Sequence, residues 1–165
     1  MTLTPPRVVF DSVVFVQALI SGRGAAAACI ERVLAGDAIL FISDAILREI
    51  KDVPLRPELV RRYPHLTPER VNGLVKTVTA VAIYIPMPPR VFSLPRDPKD
   101  EPYTDLAIDV RAEYLVTWNE RRLTYLMMRD TPEGREFCDR FPYVTILPPP
   151  AFLDRLRDAA SPPHP

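Results

Sequence analysis

The chain has 165 residues, 47% of them apolar, and its 21 Lys+Arg balance 21 Asp+Glu. That length suits one domain with one core, and the apolar share excludes global disorder. A formal net charge of zero argues against binding nucleic acid by bulk charge, though not against a local basic face.

Residues 7–19, RVVFDSVVFVQAL, are rich in Val and Phe, as a buried parallel strand should be, with Asp11 interrupting the apolar run. A loop follows at 21–24. Residues 25–36 have helical composition and a good stop at Gly36. AILFIS, 38–43, reads as a second strand. Ser43 or Asp44 can cap the helix that ends before Pro54. Thr67 caps a further helix, with Pro68 in its first turn, and Val71, Leu74, Val75 and Val78 share one face. A third strand is expected over 81–86, a helix from near Pro102, a fourth strand in EYLVTW, a helix over 120–128, a fifth strand over 143–148 and a last helix over 150–160. Residues 1–160 are expected to form a single domain, with a disordered tail at 161–165. Twenty prolines punctuate these segments and both ends.

Cys29 and Cys138 fit no ligand spacing and read as reduced, partly buried thiols. No secretory leader and no apolar run of membrane-spanning length is evident, so a soluble, cytoplasmic protein with no membrane partner is expected. Strands alternating with helices imply a parallel sheet covered on both faces, with ligands bound outside the carboxyl ends of the strands.

Acids near those ends are the candidates. Asp11 lies inside VVFDSVVF, where a carboxylate is costly to bury unless it is paired or binds a cation. It serves equally as the cap of a following turn, with Ser12 assisting. Glu49 falls in the helix after the second strand. Asp97, Asp100, Glu101 and Asp105 come before and inside a later helix, where acids also complement the helix dipole. Hard cations such as Mg²⁺ and Mn²⁺ want several carboxylate oxygens. The only histidines are His65 and His164, so zinc is poorly supported.

The segments RVVFDSVVFVQALIS, ISDAILREI, RDPKDEPYTDLAIDVRAEYLVTWN and VTILPPPAFL, in this order, resemble the PIN-domain family, closest to the VapC-like toxin components of toxin–antitoxin systems. The resemblance spans about residues 7–155. It implies an α/β fold: a three-layer α/β/α sandwich around a central, mainly parallel five-stranded sheet. It implies Mg²⁺- or Mn²⁺-dependent cleavage of an RNA substrate, a cognate antitoxin partner and a homodimer. The helices around Ile46 and Val71 to Val78 offer apolar faces for that dimer. Carried over position by position, Asp11, Glu49 and Asp100 are the catalytic metal ligands. Ser12, Glu101, Thr117, Asn119 and Glu120 support them, and Arg96, Lys99, Arg121 and Arg122 flank the acids as weak RNA-binding candidates.

Two positions depart from the family pattern. Val13 stands where many relatives have Asn, and Asn119 stands at or near the position where many have Asp. The second departure leaves three carboxylates in place of four. The competing reading is a PIN-like module that binds RNA or protein through a degenerate site. Receiver-type or haloacid-dehalogenase-type phosphotransfer lacks its second Asp, because Val13 is there. A dinucleotide or P-loop site lacks its glycine-rich loop.

Overall fold

The computed structural model describes residues 4–119 and 123–161. Its centre is one sheet of five parallel strands in the order β3-β2-β1-β4-β5. The strands are β1 (Arg7–Phe10), β2 (Ile39–Ile42), β3 (Ile83–Tyr84), β4 (Tyr114–Val116) and β5 (Thr145–Leu147). Val8 stands opposite Leu40 on one side and Tyr114 on the other, and Phe10 stands opposite Val116. The described residues also form eight α-helices: α1 (Ser12–Ile20), α2 (Ala25–Leu34), α3 (Asp44–Asp52), α4 (Pro57–Arg62), α5 (Pro68–Thr79), α6 (Glu101–Asp109), α7 (Pro132–Arg140) and α8 (Pro149–Ala160). This is a three-layer α/β/α fold with an all-parallel centre, as expected.

Alternation of side chains decides which helix meets which face. Phe10 points at Phe15 of α1 and Phe152 of α8, with ring centroids 6.0 and 5.7 Å away, and Tyr114 meets Phe152 from the neighbouring strand at 5.6 Å. α2 packs on α1 and α8 to complete that layer. Arg7 has the opposite parity. Its guanidinium lies over Phe41 and donates to the carbonyl of Val110 at the end of α6, 2.9 Å away. α6 packs on β1 and β4. Beyond it, Phe92 meets Phe137 and Phe141 edge to face at 5.3 and 5.9 Å, joining α7 to the 90–94 segment.

The first apolar run differs from the expected strand. β1 covers only Arg7–Phe10, and α1 begins one residue after Asp11. Asp11 accepts a hydrogen bond from the Val13 amide at 3.2 Å and caps the helix. α1 is buried at Ser12, Val14, Phe15, Val16 and Leu19, and so wide a buried face hides the helical period. β3 shrinks from the expected six residues to two. A single 3₁₀ turn at Thr124–Met127 stands where a helix was expected over 120–128, and Glu120, Arg121 and Arg122 lie outside the described residues. α4 and α7 were not anticipated.

Thr67 caps α5 through its hydroxyl, 3.3 Å from the Arg70 amide, as expected. The apolar face offered for a dimer is covered within the chain: Ile46 and Val71 are 1% exposed and Val78 is 2% exposed. The motive for a dimer at these helices is therefore withdrawn. No single helix among the described residues is long and apolar enough to cross a membrane.

Candidate metal centre at the sheet switch point

The chain runs from β1 outward to β2 and β3, then returns to the other side of β1 as β4 and β5. The crevice between the carboxyl ends of β1 and β4 is thus the topological switch point, where parallel sheets bind ligands. Asp11 is the first residue after β1, and Thr117 is the first after β4. The Asp11 amide donates to the Val116 carbonyl at 2.9 Å, which holds the two strand ends together. Thr117 Oγ1 donates to Asp11 Oδ2 at 2.7 Å, while accepting the Asn119 amide at 2.9 Å. Ser12 Oγ adds a longer contact of 3.3 Å to Asp11 Oδ1. Asp11 is 3% exposed and Thr117 is fully buried. The carboxylate is both a helix cap and a fixed group facing the crevice.

The same residue is electrostatically disfavoured as an anion. Burial raises the Asp11 pKa above the usual carboxylate value. The hydrogen bonds from Thr117 and Val13 work against that rise, and the charge of Glu49 adds to it. Glu49 arrives from α3, in the run that Ser43 begins by capping α3 through its hydroxyl, 3.4 Å from the Ile46 amide. Tyr103 of α6 donates its phenol to Glu49 Oε2, and the phenolic oxygen itself receives the Ser12 amide at 3.4 Å. Tyr103 is 2% exposed, and its pKa is raised by burial first and then by the charge of Asp11. Three helices, α1, α3 and α6, therefore meet at one phenolic oxygen between two carboxylates. Tyr103 was not anticipated as a site residue. Its spacing of three from Asp100 places both on one helical side, but nothing local in the sequence pairs it with a residue 54 positions earlier.

The other candidate residues are distributed as follows. Asp100, 6% exposed, stands at the start of α6, and its charge is felt by Tyr125 along with those of Glu133 and Asp97. Arg96 lays its guanidinium over the Tyr125 ring, 5.0 Å from the centroid, and Lys99 is exposed. Glu101 accepts the Leu94 amide at 2.9 Å and Ser93 Oγ at 3.4 Å, and pairs with Arg90 at 3.4 Å. Asp105 accepts the amides of Val91 and Phe92 at 2.9 and 3.3 Å. These two acids tie the 90–94 segment to α6. Asn119 belongs to the crevice through its backbone, and Glu120, Arg121 and Arg122 lie outside the described residues.

The donor chemistry at the crevice is all oxygen: two carboxylates, two hydroxyls and a phenol. His65 is engaged elsewhere, 3.1 Å from the Ile20 carbonyl, and burial pushes the Cys29 thiol up to about 12. Oxygen donors of this kind suit a hard divalent cation. A cation would also relieve the burial and the like-charge repulsion that raise the Asp11 pKa. The pair fits such an ion. Among the described residues, however, no group of three or more His, Cys, Asp or Glu is arranged to hold one.

No curated protein and no solved structure matches the chain. The profile of one family, described as PIN domain, matches residues 7–121 and so covers every element from β1 through β4. With its parallel sheet and its acid pair at the switch point, the chain belongs to the PIN-domain family, whose members are generally metal-dependent nucleases.

Proposed function

We propose that the protein is a Mg²⁺- or Mn²⁺-dependent endoribonuclease, the toxin of a type II toxin–antitoxin pair. The observation that carries this reading is the pairing of Asp11 with Glu49 at the sheet switch point, where Thr117 holds Asp11 at 2.7 Å and Tyr103 holds Glu49. Two fixed carboxylates on separate helices give a cation two anionic anchors and leave the crevice side for phosphate. A bound Mg²⁺ or Mn²⁺ supplies an acidified water and stabilises charge building on phosphate oxygens. Thr117 and Ser12 keep the Asp11 oxygens aimed across the crevice, and Tyr103 does the same for Glu49. Asp100 is proposed as the third acid, from its buried place one helical turn before Tyr103. Glu101 and Lys99 stand beside it, and Arg96 is available for an RNA backbone contact.

A second reading has its own observation. With an amide at 119 and no three-residue acid group among the described residues, the fold also suits a module that binds RNA or protein without cleaving. One experiment separates the two. Purified protein is incubated with single-stranded RNA in Mn²⁺, in Mg²⁺ and in EDTA, beside Asp11→Asn. Cleavage that needs the cation and vanishes in Asp11→Asn supports the nuclease. Binding without cleavage at any cation concentration supports the module.

A further inference from the structure

Beside the acid pair lies a separate cavity of about 190 Å³. Its two helices are those that carry Glu49 and Tyr103. Arg48 of α3 lines it and is the residue before Glu49, and Pro102 of α6 lines it and is the residue before Tyr103. Ser43, first after β2, and Pro86, two residues beyond β3, place it at the carboxyl edge of the same sheet. Sites for whole cofactors run to about 300–1,000 Å³, so a cavity of this size takes one ring-sized part of a longer ligand.

The lining is mixed, and its apolar part is Ala45, Met87 and four prolines, Pro86, Pro88, Pro98 and Pro102. Its charged groups are two acids and two arginines. The acids are already committed: Asp105 to the Val91 and Phe92 amides, Glu101 to Leu94, Ser93 and Arg90. The Ser43 hydroxyl is taken by the Ile46 amide. Among the described residues Arg48 has no hydrogen bond or ion pair, and it is exposed. What remains is a ring-sized slot with a proline-rich wall and one uncommitted guanidinium, on the residue before Glu49. Bases taken out of their stack are held between aromatic or apolar side chains, while arginines take the backbone phosphates.

We propose that this cavity binds the base of a single-stranded RNA nucleotide next to the cleaved phosphodiester, with Arg48 on that nucleotide's phosphate. The proposal rests on the ribonuclease reading for its substrate. It makes selection among RNAs a matter of which base can leave its stack and enter the slot, and duplex RNA is excluded because its bases stay stacked.

The test uses the full chain in EDTA, so that binding is read without cleavage. A fluorescently labelled single-stranded RNA is titrated by anisotropy against wild type, Arg48→Ala and Ala45→Phe, which fills the slot from its α3 side. The same RNA carrying one abasic position and a blunt RNA duplex are run in parallel. Arg48→Ala should weaken binding about tenfold, the loss expected for one charge-assisted hydrogen bond. Ala45→Phe should weaken intact RNA but leave the abasic RNA unchanged. Thermal midpoints monitor folding, and Arg48→Ala, at an exposed position, keeps the test decisive if Ala45→Phe does not fold. Wild-type affinity in Arg48→Ala, or equal affinity for duplex, overturns the subsite. If that happens while Mn²⁺-dependent cleavage persists and is lost in Asp11→Asn, the nuclease reading stands alone. If the subsite results hold but no cation supports cleavage, the subsite survives and the nuclease reading falls.

Discussion

The phenol of Tyr103 donates to Glu49 while its oxygen receives the Ser12 amide, so one side chain couples α6 to both α3 and α1 beside the acid pair. Tyr103→Phe keeps the ring in the core and removes only the oxygen. The variant should lose about 1–3 kcal/mol, since a buried amide at Ser12 then lacks this acceptor. Glu49 should also lose its fixed rotamer, so Mn²⁺ affinity measured by calorimetry should fall several-fold. Cleavage at saturating Mn²⁺ should change much less. Unaltered Mn²⁺ affinity would remove Tyr103 from the site.

Asp11 predicts a trade between stability and chemistry. Its folded-state pKa is raised above the ordinary carboxylate value, chiefly by burial. The folded protein therefore holds that proton more tightly than the unfolded chain. Stability from this group is fully present below the unfolded value and falls as pH rises through the folded one. In EDTA at neutral pH, Asp11→Asn should melt higher than wild type. A rise of about 2–4 °C corresponds to roughly 1 kcal/mol in a domain of 150–250 residues. The gap should close as the pH approaches that of an unfolded carboxylate. The same variant should abolish RNA cleavage. Equal melting of the two proteins across the whole pH range would show that Asp11 is not held against its ionisation.

Asn119 already donates its backbone N–H to Thr117 Oγ1 at the crevice. Asn119→Asp adds an anionic donor there. The Mn²⁺ concentration for half-maximal cleavage should drop, because affinity for a hard cation rises with the number of charged oxygen ligands. Metal-free protein should become less stable, with a third like charge close to Asp11 and Glu49. An unchanged Mn²⁺ titration would mean that another acid already fills this place.

Asp105 should behave as a structural acid. Asp105→Ala strands the Val91 and Phe92 amides, and a buried donor left without its acceptor costs about 1–3 kcal/mol. Limited proteolysis should then cut within residues 90–94 faster than in wild type. Mn²⁺ affinity of the folded fraction should be untouched. A loss of metal affinity with normal proteolytic resistance would be falsifying, because it would move Asp105 into the metal site.

Much of the architecture was legible because strand composition and helix caps are local signals. AILFIS, EYLVTW and YVTILP each contain a strand, and Ser43 and Thr67 cap the helices they precede. The stretch VVFDSVVF was misread because a helix buried on most of its sides is as apolar as a buried strand. PEGREFCDR was passed over as a helix because only Gly134 and Phe137 of α7 are buried, which leaves little periodic signal. At the site, Asp11 stood out as a carboxylate inside an apolar run, and Thr117 was named by the family resemblance. The roles of Glu101 and Asp105 could not be read, because their partners are backbone amides in a segment without regular structure. Tyr103 was invisible for the converse reason: its partners lie on other helices.

The double duty of Asp11 separates its part in the fold from its part in the crevice. A helix N-cap at this place is served as well by Asn or Ser as by Asp, so mutation has an open, fold-preserving route to a neutral residue. Each such step would also shed the burial penalty that the carboxylate carries. Of the residues that cap a helix here, Asp alone brings a charge to the crevice, so one substitution can keep the cap and remove the charge.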